Sequence, residues 1–233
     1  MTAPMLRRSA IYAALASTGV TCVIGLMHLP MARPLLAKLE VLCPVNRVSP
    51  EKVERMQGQA VAALMGDVAA PSHEPFGLRL ISGREGDVSA WGQGRSFTCE
   101  TITRGFRYLW CSHVPASALG RLDVDAAHDR EVVVALDHTG RPVGVDILSR
   151  TSPGGASVAL AGVVARELRD SLGEPHEVHG SFEAGALDGP FQNATLRYRY
   201  ADYVVTLTAT NIPGSGMVVR EQYLAGNEAG GTK

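Results

Sequence analysis

The stretch Leu196-Arg197-Tyr198-Arg199-Tyr200-Ala201-Asp202-Tyr203-Val204-Val205-Thr206-Leu207 reads as a β-hairpin, because aromatic and β-branched residues flank Ala201-Asp202 on both sides. With these two residues as the turn, Tyr200 faces Tyr203, Tyr198 faces Val205 and Leu196 faces Leu207. The period of two sends Arg197 and Arg199 to the opposite face, where a row of arginines is either the solvated side of a sheet or a contact for an acidic partner.

Working outward, the turn Pro213-Gly214-Ser215-Gly216 leads to a further strand over 217–224. Upstream, the spacing of Ala161, Val164, Leu168 and Leu172 predicts a helix over 157–172 that Gly173 stops. Segments 131–136 and 142–148 enclose Asp137-His138-Thr139-Gly140, a second hairpin. Segments 97–103 and 106–114 flank Arg104-Gly105, a third. A three-residue loop centred on Gly105 places Cys99 opposite Cys111, within reach of a disulfide. Residues 76–81 alternate as a strand, Val88 and Trp91 mark a short helix within 83–92, and 115–129 is a loop. Ser49 caps and Pro50 opens a helix running to Gly66, whose stripe of Val53, Met56, Ala60, Val61, Leu64 and Met65 reads as a core-facing side.

The order repeats. Strand 76–81, the Val88 helix and hairpin 97–114 echo strand 143–148, the Ala161 helix and hairpin 194–212. The fold class expected is therefore α+β: an N-terminal transmembrane helix, then an antiparallel sheet with packed helices, arranged as two tandem β-α-β-β units over 76–136 and 142–224.

Between Arg8 and Arg33 no residue is charged, and the run supplies the roughly 20 apolar residues that a helix needs to cross a bilayer. A cleaved signal fits worse, because a cut after Ala32 puts Pro30 where a small residue belongs. Gly19-Val20-Thr21 before Cys22 is a poor lipidation signal. The organisation expected is a cytoplasmic tail over 1–8, an anchor over 9–30, a stalk over 31–48, an exterior domain over 49–225 and a Gly-rich tail over 226–233. In a bacterium the domain would lie on the periplasmic side of the inner membrane.

Without Arg7 and Arg8 the chain carries 20 basic and 23 acidic residues, which gives nucleic acid no electrostatic footprint. Cys22 falls inside the anchor; pairing Cys99 with Cys111 leaves Cys43 on the stalk as a candidate for a bond between two copies. Glu174, His176, Glu177 and His179 are the best metal candidates. If the segment is extended, His176 and His179 project to opposite faces, and if it is a turn they sit in solvent after a helix end, so no metal is expected. Ser157 is an ordinary helix cap, Cys111 with His113 on one strand would make a thiolate pair only if Cys111 were free, and Gly154-Gly155 lacks the spacing of a phosphate loop. Asn193-Ala194-Thr195 matches a glycosylation acceptor. No pattern requires a cofactor.

The helix ending Leu172-Gly173-Glu174-Pro175, followed by meandering strands, resembles in outline the small envelope modules of the BamE and β-lactamase-inhibitor-protein type. The resemblance covers the last third of the chain, departs from the lipoprotein members at Cys22, and implies a protein-binding or assembly role with no catalytic residue to carry over. The function expected is a membrane-anchored binding or scaffolding protein outside the cytoplasm; the alternative is an envelope hydrolase or thiol enzyme.

Two outcomes are expected. The full-length chain sediments with membranes and stays there in carbonate and high salt, since ionic strength does not touch apolar insertion; recovery in the soluble fraction would contradict the anchor. A fraction of the protein runs as a dimer on non-reducing gels, and Cys43→Ser removes that band.

Overall fold

The computed structural model describes residues 49–72, 74–103, 106–120, 127–152, 156–183 and 185–226. The chain divides into Met1–Ser49 and Pro50–Lys233, and the second unit is described below. The segment 9–30 and Cys43 lie outside the described residues. Among the described residues, no helix is long and apolar enough to cross a membrane.

The fold is α+β. Helices α1 (Pro50–Ala62), α2 (Glu85–Gln93) and α3 (Ala156–Leu172) accompany eight strands: β1 (Cys99–Thr103), β2 (Arg107–Cys111), β3 (Ala127–Leu136), β4 (Pro142–Thr151), β5 (Glu177–His179), β6 (Asn193–Arg199), β7 (Tyr203–Ile212) and β8 (Gly216–Ala225). They form one antiparallel sheet in the order β1-β2-β3-β4-β8-β7-β6-β5. Each half is a helix followed by a four-strand meander, and the last strands of the two meanders meet at the centre.

The hairpin around Ala201-Asp202 has the register the side chains dictate, with Leu196 opposite Leu207 and Tyr198 opposite Val205. Its apolar face continues across the sheet through Val205–Tyr223, Tyr223–Val145, Val145–Val134 and Val134–Leu109 pairs. On this inner face lie Val88 and Trp91 of α2 and Leu160, Ala161, Val164, Ala165, Leu168 and Leu172 of α3. Gly173 takes φ 80°, the left-handed value that closes a helix end, and the hydroxyl of Tyr200 donates to the carbonyl of Leu172, tying α3 to the β6–β7 turn. Among the described residues, Glu221 and Arg130 enter the inner face with partners. Glu221 accepts from the Tyr223 hydroxyl at 2.7 Å, and Arg130 donates to Ser149 Oγ at 3.2 Å and to the carbonyl of Val114 at 3.1 Å.

Residues 76–81 do not form a strand. Their alternation does bury Leu78 and Leu80, but Phe76 and Ile81 have φ of 57° and 67°, and a 3-10 turn occupies Pro75–Gly77. The ladder they would join is blocked chemically: the Ile81 N–H donates to the carbonyl of Pro142 at 2.7 Å, and Pro142 has no N–H with which to answer. The short strand β5 went unread because three residues carry too little periodicity.

Helix α1 also departs from expectation. None of its residues belongs to the buried core, Met56 is 57 % exposed, and Val53 and Val61 are only half-buried. An amphipathic stripe shows that a helix has a preferred side, not that the core has room for it.

Cys99 stands opposite Cys111 in the β1–β2 register, with an S–S distance of 2.02 Å. Gly92 of α2 lies over this pair, where a Cβ would come 3.2 Å from the Phe97 ring and carbonyl and 3.4 Å from Cys99 Sγ. Opening a loop of 12 residues removes roughly 2–3 kcal/mol of chain-entropy stabilisation, so Cys99→Ala is expected to lower the melting temperature by roughly 5–10 °C. Differential scanning calorimetry of the full-length protein in neutral detergent measures it; an unchanged melting temperature would remove the bond from the stability account.

Candidate functional site

Helices α2 and α3 cover one face of the sheet. The other face presents the alternate residues of every strand, and among the described residues these are half-buried or exposed apart from the buried Gly144, Val204 and Gly216. At the β1–β3 side it is apolar and aromatic, with Ile102 opposite Tyr108, Tyr108 opposite Ala135 and Trp110 opposite Val133. At the centre and far side it is charged, and the charges are paired across strands. Arg150 meets Asp129 at 2.8 Å and Glu131 at 3.1 Å. Arg220 grips Asp146 through two nitrogens, and Gln222 adds a hydrogen bond at 3.2 Å. The hydrogen bond to Glu131 raises the Arg150 pKa against the opposing pull of burial, and the bond to Asp146 does the same for Arg220. Thr195, Thr206, Thr208 and Thr210 fill the space between these pairs.

The sequence singled out Arg197 and Arg199 on this face, and there they lie, half-buried beside β5. Glu177 holds both guanidiniums, Arg197 Nη1 and Arg199 Nη2 each 2.9 Å from a different carboxylate oxygen. An acidic group approaching them competes with Glu177. The same contacts disperse the histidine cluster: Glu177 is committed to arginines, His176 Nδ1 accepts from the Arg199 N–H at 3.2 Å, and His179 pairs in register with Thr195. Among the described residues no group of three His, Cys, Asp or Glu side chains is placed to hold a metal ion. Cys111 is fully buried in its bond to Cys99, while His113 is exposed and lies beyond the end of β2. Gly154 and Gly155 lie outside the described residues.

Sequence reasoning missed two features. The first is Phe191, which is 69 % exposed and has φ 58°, a left-handed value that costs a non-glycine residue about 1–2 kcal/mol. The kink is imposed from β7: Asn211 accepts the Phe191 N–H at 2.9 Å, donates its own N–H to the carbonyl of Gln192, and clamps the carbonyls of Leu187 and Asp188 with its side-chain amide. Ile212, the next residue of β7, is 37 % exposed. A lone aromatic after Asp188-Gly189-Pro190 was the available signal.

The second is a cleft of about 470 Å³ between α1 and the sheet end, walled by Val53, Val61 and Leu64 on one side and Val143 and Leu224 on the other. The β3–β4 turn closes one end. There Asp137 accepts from the Thr139 N–H at 2.9 Å, the Thr139 hydroxyl at 2.7 Å, the Arg141 N–H at 2.9 Å and Arg141 Nε at 2.8 Å. Burial pushes the Asp137 carboxyl up, but the hydrogen bonds from Thr139 and Arg141 outweigh it and hold the pKa at about 2. A groove of about 800 Å³ lies on the helical side, lined by residues of α3 and of the segment after it, among them Arg166, Arg169, Glu183 and Asp188.

Comparison with family models, curated proteins and solved structures finds no match.

Because Asp137 is held below the ordinary carboxylate value of about 4, its contribution is complete above that pH and lost as pH falls towards 2. Roughly 2 kcal/mol of stability should disappear over that interval. Thermal melts of the wild type and Asp137→Asn between pH 5 and pH 2.5 test this, the variant losing less stability across the range than the wild type; parallel curves would contradict it.

Proposed function

We propose that the chain is a membrane-anchored module lying outside the cytoplasm, whose uncovered sheet face binds a protein partner. Phe191 carries the reading. A phenylalanine that is mostly exposed on left-handed backbone costs the fold twice, in strain and in wetted apolar surface, and receives no compensating burial within the described residues. Burying it against a partner would return roughly 1.5–3 kcal/mol. Interfaces place such aromatic anchors at their energetic centre, and Trp110 and Tyr108 supply more of the same surface on the opposite half of the sheet.

The finer organisation we infer is two tandem helix-plus-meander units sharing one sheet. Supporting it is the repeated order of one helix and four strands, meeting at β4 and β8. The likeness of the second unit to envelope modules of the BamE and β-lactamase-inhibitor-protein type favours protein binding or assembly over catalysis. The second reading, an envelope hydrolase or thiol enzyme, would require the bond between Cys99 and Cys111 to open before Cys111 could act.

The test is a photoreactive phenylalanine analogue placed in the full-length protein in its own cells. Incorporation at Phe191 and at Trp110 should yield discrete protein adducts, and incorporation at Arg166 on the helical side should not. Adducts at Arg166 alone would put the interface on the other face, and none at Phe191 would remove its supporting observation.

A further inference from the structure

We propose that β1 is the surface through which two copies of this chain pair, their β1 strands lying antiparallel about a two-fold axis at Thr101 and joining the two sheets into one. The inference goes beyond the face-binding reading and does not rest on it, because it uses the edge of the sheet.

Strand β1 is hydrogen-bonded in the sheet only to β2 and closes one side of it. The alternation of an antiparallel pair decides which of its backbone groups stay open. The Cα atoms of Cys99 and Cys111 lie 4.1 Å apart, close to the roughly 4.5 Å of a pair that exchanges no hydrogen bonds and well short of the roughly 5.5 Å of one that does. The register runs unbroken from Cys99–Cys111 to Thr103–Arg107, so Thr101 and Thr103 stand as Cys99 does. The N–H and C=O groups of all three therefore point away from β2, and among the described residues none of these groups has a hydrogen-bond partner. Glu100, Thr101 and Thr103 are exposed, which leaves the edge accessible to another strand. The opposite edge is blunted: β5 has three residues and runs into Gly180 at φ 71°, whereas β1 has five, without proline, lysine or bulge.

The sequence of β1 fits a second β1. In the two-fold register Thr101 meets its counterpart, Cys99 meets the partner's Thr103 and Glu100 meets the partner's Ile102. All three outward residues then fall in pairs that exchange both backbone hydrogen bonds, and a slip by two residues would leave one of them outside the ladder. The same register settles the charges. Glu100, the one charged side chain of β1, stands opposite an isoleucine and not opposite its own copy, where like charges would repel. Ile102, half-buried against Tyr108, receives the stem of that glutamate on its open side. On the other face the acid held by the Thr101 hydroxyl at 3.0 Å is Glu85, which Arg107 already neutralises. A strand of another protein would need three outward residues at this spacing and no acid opposite Glu100; a second copy brings both by symmetry.

The experiment co-expresses two differently tagged full-length chains in the protein's own cells, both with Cys22→Ser and Cys43→Ser so that, with Cys99 bonded to Cys111, no native thiol can join them. One carries Glu100→Cys, the other Ile102→Cys, and the cells are oxidised with diamide. Mixed-tag disulfide dimers are expected at least about fivefold above those from two Glu100→Cys or two Ile102→Cys chains, because like positions stand diagonally, about 7–8 Å apart and beyond disulfide reach. A second measurement, light scattering after size-exclusion chromatography in neutral detergent, takes the Cys22→Ser, Cys43→Ser chain as parent. The parent is expected to run as a dimer, Ile102→Glu as a monomer because it sets acids opposite each other, and Ile102→Glu with Glu100→Lys as a dimer again. Equal yields from mixed and like pairs, disulfides to a different protein in their place, or an Ile102→Glu dimer as stable as the parent would overturn the pairing. The face-binding reading is scored separately, by adducts at Phe191.

Discussion

The ladder between β4 and β8, from the Gly144–Leu224 pair to the Arg150–Val218 pair, joins two meanders that would otherwise each end in an open edge. On the inner side it sets Val145 beside Tyr223 and Ile147 beside Glu221, so that α2 and α3 cover one continuous core. On the outer side it sets Asp146 beside Gln222 and within reach of Arg220. A four-strand sheet with one helix buries little apolar surface; eight strands sharing a face bury enough for a domain of this size.

With both helices committed to the inner face, the outer face is left to cross-strand pairs. These pairs are partly exposed, Arg220 and Asp146 by 50 % and 29 %, and such ion pairs contribute at most about 1 kcal/mol each. They fix register and solubility more than stability, and they leave a surface that a partner can cover at small cost. Phe106 and Phe191 each precede the second strand of a meander, and both are exposed. Helix α1 roofs the Phe106 corner. No described element does the same at Phe191, which stays 69 % exposed.

Much of the architecture was legible locally. The Tyr200–Tyr203 hairpin, the Cys99–Cys111 register, the stripe of α3 and its glycine stop each depend on residues within about one element of one another, where side-chain period and turn chemistry act directly. The failures were equally physical. Residues 76–81 have strand periodicity without a strand, since periodicity chooses Leu78 and Leu80 for burial but a ladder also needs a neighbour with free N–H groups, which Pro142 does not provide. Helix α1 has a core-like stripe without a core, because α2 and α3 already fill the space beneath the sheet. The order β-α-β-β expected of each half differs from the order in the structure, where one helix precedes four strands.

The sequence by itself determined which residues pair at each hairpin, which faces are apolar, where the chain carries an uncharged run long enough for a bilayer, and that 20 basic against 23 acidic residues offer nucleic acid nothing. Only the tertiary structure decided that β4 meets β8, that Glu177 occupies both candidate arginines, that Asn211 bends the chain to expose Phe191, and that α1 stands off the sheet to leave a cleft. The division follows sequence distance. A hairpin is specified by atoms a few residues apart, whereas Gly144 and Leu224 are brought together by loop closures whose cost depends on everything that packs between them.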